Sequence, residues 1–318
     1  MTAFRAMKLL EQRGLVAAEA HHGYRVTQKA SDPAKGCPLA FVTGDDPEDQ
    51  RSWTPVHRAL LAAFQGVADR QGWSTLGLTC SGKKPKAIVD QVQAARVAGV
   101  ALDAYDEAVI EALKRARIPV ILVDAWRDDA GVDGAVQDNY RGGFLAGQYL
   151  AERGCKRVGW LGTIHEGVHS HERYGGAVGA LRLAGLSMTP AFVADVMDPR
   201  EGLAAARRLF AGPERPDGVI ALWMEFALNV KKAADERGLV VGRDFELVGW
   251  SLEENYELLY RPAFAGGPVP PAVTWSARTM AEIALKRLAE RRRDPDMPVV
   301  RLNVPTRLRL ADGNAGAS

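Results

Sequence analysis

Residues 132–162, VDGAVQDNYRGGFLAGQYLAERGCKRVGWLG, and residues 171–185, HERYGGAVGALRLAG, decide the fold. Asp138 reads as the N-cap of a helix over 139–153, and Gly154 as its left-handed stop. The apolar run 157–161 reads as a buried strand. A second helix then covers about 171–184 and stops at Gly185. Helices and strands alternating over such short links imply a parallel sheet with helices on its faces.

The alternation extends both ways. Upstream, strands at 39–43, 74–79, 100–102 and 119–123 are separated by helices at 55–71, 86–98 and 107–116. Thr54 caps the first of these helices, Pro55 opens it, and Val56, Leu60, Phe64 and Val67 share one face. Downstream, strands at 191–196, 218–222, 246–250 and 272–275 alternate with helices at 200–210, 226–237 and 277–291. Strands near 299–302 and 306–310 complete the set. Two successive sets predict an α/β protein of two Rossmann-like lobes with parallel sheets over 39–310. Its cleft is lined by residues that follow strands.

The head is different. Residues 2–13 read as a helix closed by Gly14, with short strands at 15–16 and 24–26. Residues 1–28 thus form a separate segment, 29–38 a linker, and 311–318 a polar, disordered tail. The segment 1–36 holds six basic side chains (Arg5, Lys8, Arg13, Arg25, Lys29, Lys35) against three acidic ones. The chain's net charge of +2 therefore comes from its head. That pattern fits nucleic acid at the head and fits a solvated basic tail equally well. With 47% hydrophobic and 25% charged residues in 318, wholesale disorder is excluded. No apolar run approaches the ~20 residues of a membrane helix. Residues 1–13 lack the apolar core of a secretory signal. Three dispersed cysteines, Cys37, Cys80 and Cys155, form neither a disulfide framework nor a CxxC site. The expected compartment is the cytoplasm.

The 132–185 pattern resembles the effector domain of LacI/GalR-type transcription regulators, which are periplasmic-binding-protein-like. There V-x-x-D-N-x-x-G-G opens a helix ending in L-x-x-x-G-H-x-R-I, and R-x-x-G follows. Cys155 stands where that His usually lies. Residues 216–251, PDGVIALWMEFALNVKKAADERGLVVGRDFELVGWS, resemble the P-D-A-V-x-x-x-N-D-x-x-A and V-x-G-x-D segments, and 95–102, ARVAGVAL, a further one. The head resembles the recognition helix and wing of a GntR-type winged helix, through Thr2, Arg5, Ala6, Gly14, Leu15, Gly23 and Val26. The first two helices of such a domain would lie before Met1, so the winged helix is partial. That likeness implies DNA contacts from Thr2, Arg5, Lys8, His22 and Gly23. The body implies a homodimer and a small-molecule effector.

The resemblance places Arg173 where an arginine bonds ligand oxygens, and a guanidinium fork suits vicinal hydroxyls or a carboxylate. Ser251 stands where an Asp is usual, and Trp223 and Met224 replace an Asn-Asp pair. The pocket has exchanged polar groups for an aromatic, which suits stacking on a sugar face. Trp53, Trp126, Trp223, Trp250 and Trp275 fall at or after strand ends, and at least two of them are expected in the core. Asp124 follows a strand, and His169 reads as a loop residue four before Arg173. Asp45 and Asp46, before Pro47, read as turn formers rather than ligand groups. The expected ligand set is Arg173, Trp223, Ser251, Asp124, His169, Trp53, Trp250 and Trp275, for a sugar or sugar derivative.

No G-x-S-x-G, Walker loop or H-E-x-x-H occurs, so no enzyme activity, metal or cofactor is expected. His165, His169 and His171 read as solvated loop histidines. Two functions remain: a ligand-responsive DNA-binding transcription regulator, or a small-molecule binding protein without DNA work.

Overall fold

The computed structural model describes residues 8, 16–19, 23–26, 37–44, 55–125, 127 and 129–310. The expected 2–13 helix, apart from helical and exposed Lys8, lies outside these residues. So do Thr2, Arg5, His22, Asp45, Asp46, Trp53, Thr54, Trp126, most of the 29–38 linker and the 311–318 tail. In the head, β1 (Val16–Glu19) and β2 (Gly23–Val26) pair antiparallel, with Glu19 opposite Gly23. Gly23 and residues 17–19 are therefore strand residues, so both strands are longer than the expected 15–16 and 24–26.

The first lobe holds β3 (Leu39–Thr43), α1 (Pro55–Arg70), β4 (Thr75–Thr79), α2 (Pro85–Ala94), β5 (Val100–Asp103), α3 (Glu107–Arg115), β6 (Val120–Val123) and β7 (Asp133–Gln137). The chain then crosses into the second lobe through α4 (Asn139–Glu152). There follow β8 (Val158–Gly162), α5 (Gly167–Leu183), β9 (Met188–Asp195), α6 (Pro199–Leu209), β10 (Gly218–Ala221), α7 (Trp223–Asp235), β11 (Glu246–Leu252), a helical segment at 253–263 and β12 (Ala272–Trp275). It returns through α8 (Ala277–Arg293) to β13 (Arg301–Val304), then crosses once more to β14 (Arg307–Arg309).

The first sheet, in order β13-β7-β6-β5-β3-β4, is wholly parallel. The second, β14-β12-β11-β10-β8-β9, is parallel except where β14 runs against β12. Central strands are buried along their whole length, as expected with helices on both faces. Alternation sorts the first sheet's side chains. Ala40, Val42, Leu102 and Leu122 meet Ile88, Val92, Val109 and Leu113 from α2 and α3. Phe41, Ala101 and Ile121 meet the other core, where Phe41 packs on Phe64 of α1 at 5.3 Å between ring centroids.

The body matches the expected two-lobed α/β architecture, with three local corrections. The strand β7 is not marked by the sequence pattern, because Asp133, Gly134 and Gln137 dilute its apolar signal. Asp133, 1% exposed, is neutralised by Arg287 at 3.1 Å and Arg291 at 3.0 Å, both on α8. The 253–263 helical segment is not marked by the sequence pattern. α5 begins at Gly167, not near 171, because its N-cap residue Glu166 makes no side-chain capping bond that would mark the start.

Candidate functional site

The candidate site is built where β7 hands over to α4. Asp138 caps α4 by accepting from the Arg141 amide at 3.1 Å. This cap turns Asn139 inward, where it is fully buried. Its Oδ1 accepts from Arg173 Nε at 2.7 Å, and its Nδ2 lies 3.0 Å from His169 Nδ1 and 3.4 Å from Glu172 Oε2. Because an amide nitrogen only donates, His169 accepts through Nδ1. Burial lowers the His169 pKa, which keeps the imidazole neutral for that role.

Close approach of α4 and α5 makes these bonds possible. A Cβ on Gly143 would stand 1.8 Å from the Arg173 carbonyl oxygen, and one on Gly176 would stand 2.1 Å from that of Tyr140. The small residues in both motifs therefore set the distance between the helices. A Cβ on Gly142 would strike the Trp250 ring at 2.4 Å.

Trp250 lies under the Arg173 guanidinium, whose carbon is 5.1 Å from the ring centroid. Its Nε1 donates to Gln137 Oε1 at 3.0 Å, across the lobe boundary. Gln137 Nε2 in turn donates to both Asp124 oxygens, at 2.9 and 3.1 Å. A second tie between the lobes is the ion pair of Glu172 on α5 with Arg301 on β13. One polar network thus connects Asp124, Gln137, Trp250, Arg173, Asn139, His169, Glu172 and Arg301. Arg173 is 6% exposed, and burial lowers its pKa while Asp124 and Glu172 pull the other way.

Of the expected ligand residues, the fold gathers Arg173, Asp124, His169 and Trp250. His169 is not a loop residue but sits in the first turn of α5. Trp250 and Trp275 are 2% and 4% exposed and belong to the hydrophobic core, so neither offers a free stacking face. Ser251 is buried, its hydroxyl donating to the Leu252 carbonyl at 3.1 Å, and strand alternation sends it to the other face from Trp250. Trp223 is half-buried and stacked on Phe226 at 5.5 Å. Among the described residues, no hydrogen bond joins Trp223 or Trp275 to the network. Of the two other histidines beside it, His165 in the loop pairs with Asp195, whereas His171 lies within α5 and bonds the Ile164 carbonyl at 3.1 Å. Both line an open cavity of about 520 Å³ with Tyr140 and Glu172.

Asp124 of this network has a left-handed backbone. Among the described residues, the non-glycine residues in the left-handed region are Arg96 and Arg117, just past the C-caps of α2 and α3, and Asp124 and Trp223, at φ of 51° and 61°. The first two are ordinary helix ends. The last two follow strands β6 and β10, where ligands of open α/β sheets bind. Reading the residues alone missed Gln137, Asn139, Glu172 and Arg301. Asn139 and Gln137 flank Asp138 in the quoted motif, so a polar triplet at a strand end was the available signal.

The periplasmic binding protein-like domain family matches residues 148–310. A protein named HTH-type transcriptional repressor PurR from Mannheimia succiniciproducens is 27% identical over 246 residues, covering 76% of this chain and 72% of that one. Among solved structures, a complex of the transcriptional regulator CelR with cellobiose superposes at a TM-score of 0.70 and 19% identity, covering 96% of this chain and 88% of that one. A LacI family transcriptional regulator from Enterococcus faecium with bound ribose superposes at 0.68 and 18% identity, covering 85% of this chain and 96% of that one. The family match, the crossovers between two sheets and the network at their junction agree: the chain belongs to the periplasmic binding protein-like domain family, in the two-lobed form that LacI-type regulators share.

Proposed function

We propose that residues 39–310 are the effector domain of a ligand-responsive transcription regulator, a binder and not an enzyme. Arg173 orients a small polyhydroxylated ligand in the cleft. Asp124, His169 and Trp223 contribute around it, and Trp250 positions Arg173 from beneath. The observation that carries this reading is the Arg173-centred network, whose hydrogen bonds and ion pair span both lobes. A ligand bonded there contacts both lobes at once, so binding biases their closure. The relative's name as a repressor, and the sugars bound by two neighbours of the same fold, support a sugar or sugar derivative as effector.

On this reading residues 1–28, with Thr2, Arg5, Lys8, His22 and Gly23, face DNA as part of a GntR-type winged helix. A homodimer pairs two such heads, whose spacing follows lobe closure. The chain acts in the cytoplasm, where its DNA is. The test is calorimetric titration against a panel of sugars and sugar derivatives. Losing a charge-assisted hydrogen bond costs about 1.5–3 kcal/mol, so Arg173→Ala weakens the best ligand roughly ten- to a hundred-fold. Trp223→Ala weakens it comparably by removing stacking area. Unchanged affinity in both variants refutes the cleft. Sedimentation at tens of micromolar checks the dimer, and a monomer there refutes it.

A further inference from the structure

Glycine closes α1, α4, α5 and α7 in the left-handed region, as Gly72, Gly154, Gly185 and Gly238. Arginine closes α2 and α3 instead, as Arg96 at φ 51° and Arg117 at φ 55°. Left-handed closure is ordinary for a helix, but a side chain there is strained where glycine is not. The helix dipole does not require it, because a cation in the last turn answers the same carbonyls, as Lys114 and Arg115 already do on α3. Pairing does not require it either. Both arginines are exposed, and among the described residues neither side chain has a hydrogen bond or ion pair. Arg207, near the end of α6, by contrast pairs with Glu236 at 2.7 Å.

Their place in the fold supplies a role. Both lie at the N-terminal end of the first sheet, the pole opposite the cleft, just ahead of the adjacent strands β5 and β6. The Ala98 amide, two residues after Arg96, donates to the Pro38 carbonyl at 2.8 Å. The Val100 amide donates to the carbonyl of Pro119, two residues after Arg117, also at 2.8 Å. At Pro38 the basic head segment joins the body, so the two unpaired cations stand beside that junction. Adjacent strands lie about 4.8 Å apart, and a duplex carries a phosphate every ~3.4 Å of axis on each strand, so both guanidinium groups can reach one backbone.

We propose that Arg96 and Arg117 are a DNA-backbone contact on the effector body itself, holding phosphates beside the site that the head covers. This rests on the DNA-binding reading above and deepens it by adding a contact outside residues 1–28. A guanidinium fork takes two phosphate oxygens, and neutralising a phosphate releases condensed counterions. The contact carries no sequence information. It adds affinity and fixes how the body sits on the duplex.

The experiment titrates a fluorescently labelled duplex of arbitrary sequence with the full chain and follows anisotropy between about 50 and 200 mM salt. Each phosphate contact contributes about 0.9 to the slope of log affinity against log salt, so Arg96→Gly with Arg117→Gly flattens the slope by about 1.8 and weakens low-salt binding roughly tenfold or more. The same double variant melts at or above the wild type, because glycine relieves the left-handed strain. Arg96→Gln with Arg117→Gln flattens the slope equally, and Arg96→Lys with Arg117→Lys, which keeps both charges, retains it. Lys232→Gln with Arg237→Gln, exposed at the far end of the second lobe, leaves it unchanged. An unchanged slope in the Gln pair, whatever the Gly pair does, overturns the proposal and leaves DNA binding to the head. Equal flattening in the far-end pair overturns it as an effect of net charge. Binding to phosphatidylserine vesicles and not to DNA, lost in the Gln pair, overturns it in favour of a membrane. No DNA binding by the wild type at the lower salt overturns it together with the DNA-binding reading.

Discussion

Two adjacent glycines on α5 make opposite predictions. A Cβ added to Gly175 meets nothing within 4 Å, whereas one on Gly176 would stand 2.1 Å from the Tyr140 carbonyl oxygen and 2.8 Å from the Phe144 amide nitrogen of α4. Real Cβ contacts stop near 3.0 Å, so Gly176→Ala forces the helices apart by about 0.9 Å. The obstructing atoms are backbone, and no side-chain rotation relieves them. Overpacking costs about 1–3 kcal/mol, here at the upper end, and the helix propensity of alanine offsets about 1 kcal/mol of it. Gly176→Ala therefore loses about 2 kcal/mol of stability. Gly175→Ala, with the propensity gain and no clash, gains roughly 0.5–1 kcal/mol. Urea unfolding of the two variants, compared through their midpoints at constant m-value, reads the difference directly. Equal effects in both variants would refute the view that glycine at 176 sets the α4–α5 distance.

Three further outcomes follow from named contacts. Asp133→Asn leaves Arg287 and Arg291 without their shared carboxylate and costs about 3–5 kcal/mol by calorimetry. Burial alone would raise the Asp133 pKa, but hydrogen bonds from Arg291, Arg287 and the Val300 amide hold it below the usual value. Its stabilisation is therefore present above the unfolded pKa of about 3.9 and is lost as pH falls through the lower folded value. The wild type's acid melting curve should show that loss, and the Asn variant's should lack it. Trp250→Phe removes the bond to Gln137, costs about 1 kcal/mol, and increases amide exchange at the ends of β7 and β11; unchanged exchange there refutes the tie between lobes. The Cys155 thiol is pushed up to about 11 by burial and the nearby carboxylates Asp217 and Glu246. It should resist iodoacetamide at pH 8 in the native protein and react on unfolding.

Legibility followed the range of the interactions. Helices with local caps were readable, as with Asp138 on α4, which receives the backbone amide three residues ahead. β7 was not, because the partners that make a buried Asp133 tolerable lie on α8, more than 150 residues later. The same reason separates the site's parts. Arg173 stood out through its motif, but Trp250 looked like a ligand platform. Only its distance to Gln137 and to the guanidinium shows that both its donor and one face are used. The 253–263 segment was hidden by its π turn and by Pro262, which spoil helical periodicity.

The three passages between lobes constrain how the chain is made. The first sheet is incomplete until its edge strand, residues 301–304, has been synthesised. Until then β7 presents an unpaired edge, and Asp133 at its start awaits cations on a helix not yet translated. The second lobe's strands through β12 become available earlier, although they follow the first lobe in sequence. A nascent chain can therefore finish most of its second lobe before its first. The first lobe stays exposed to aggregation through an open strand edge for most of translation. No cut at a single peptide bond separates the lobes into two complete folding units. Division of this protein for biosensor or fragment work must carry 277–304 with the first lobe, by circular permutation or as a third piece.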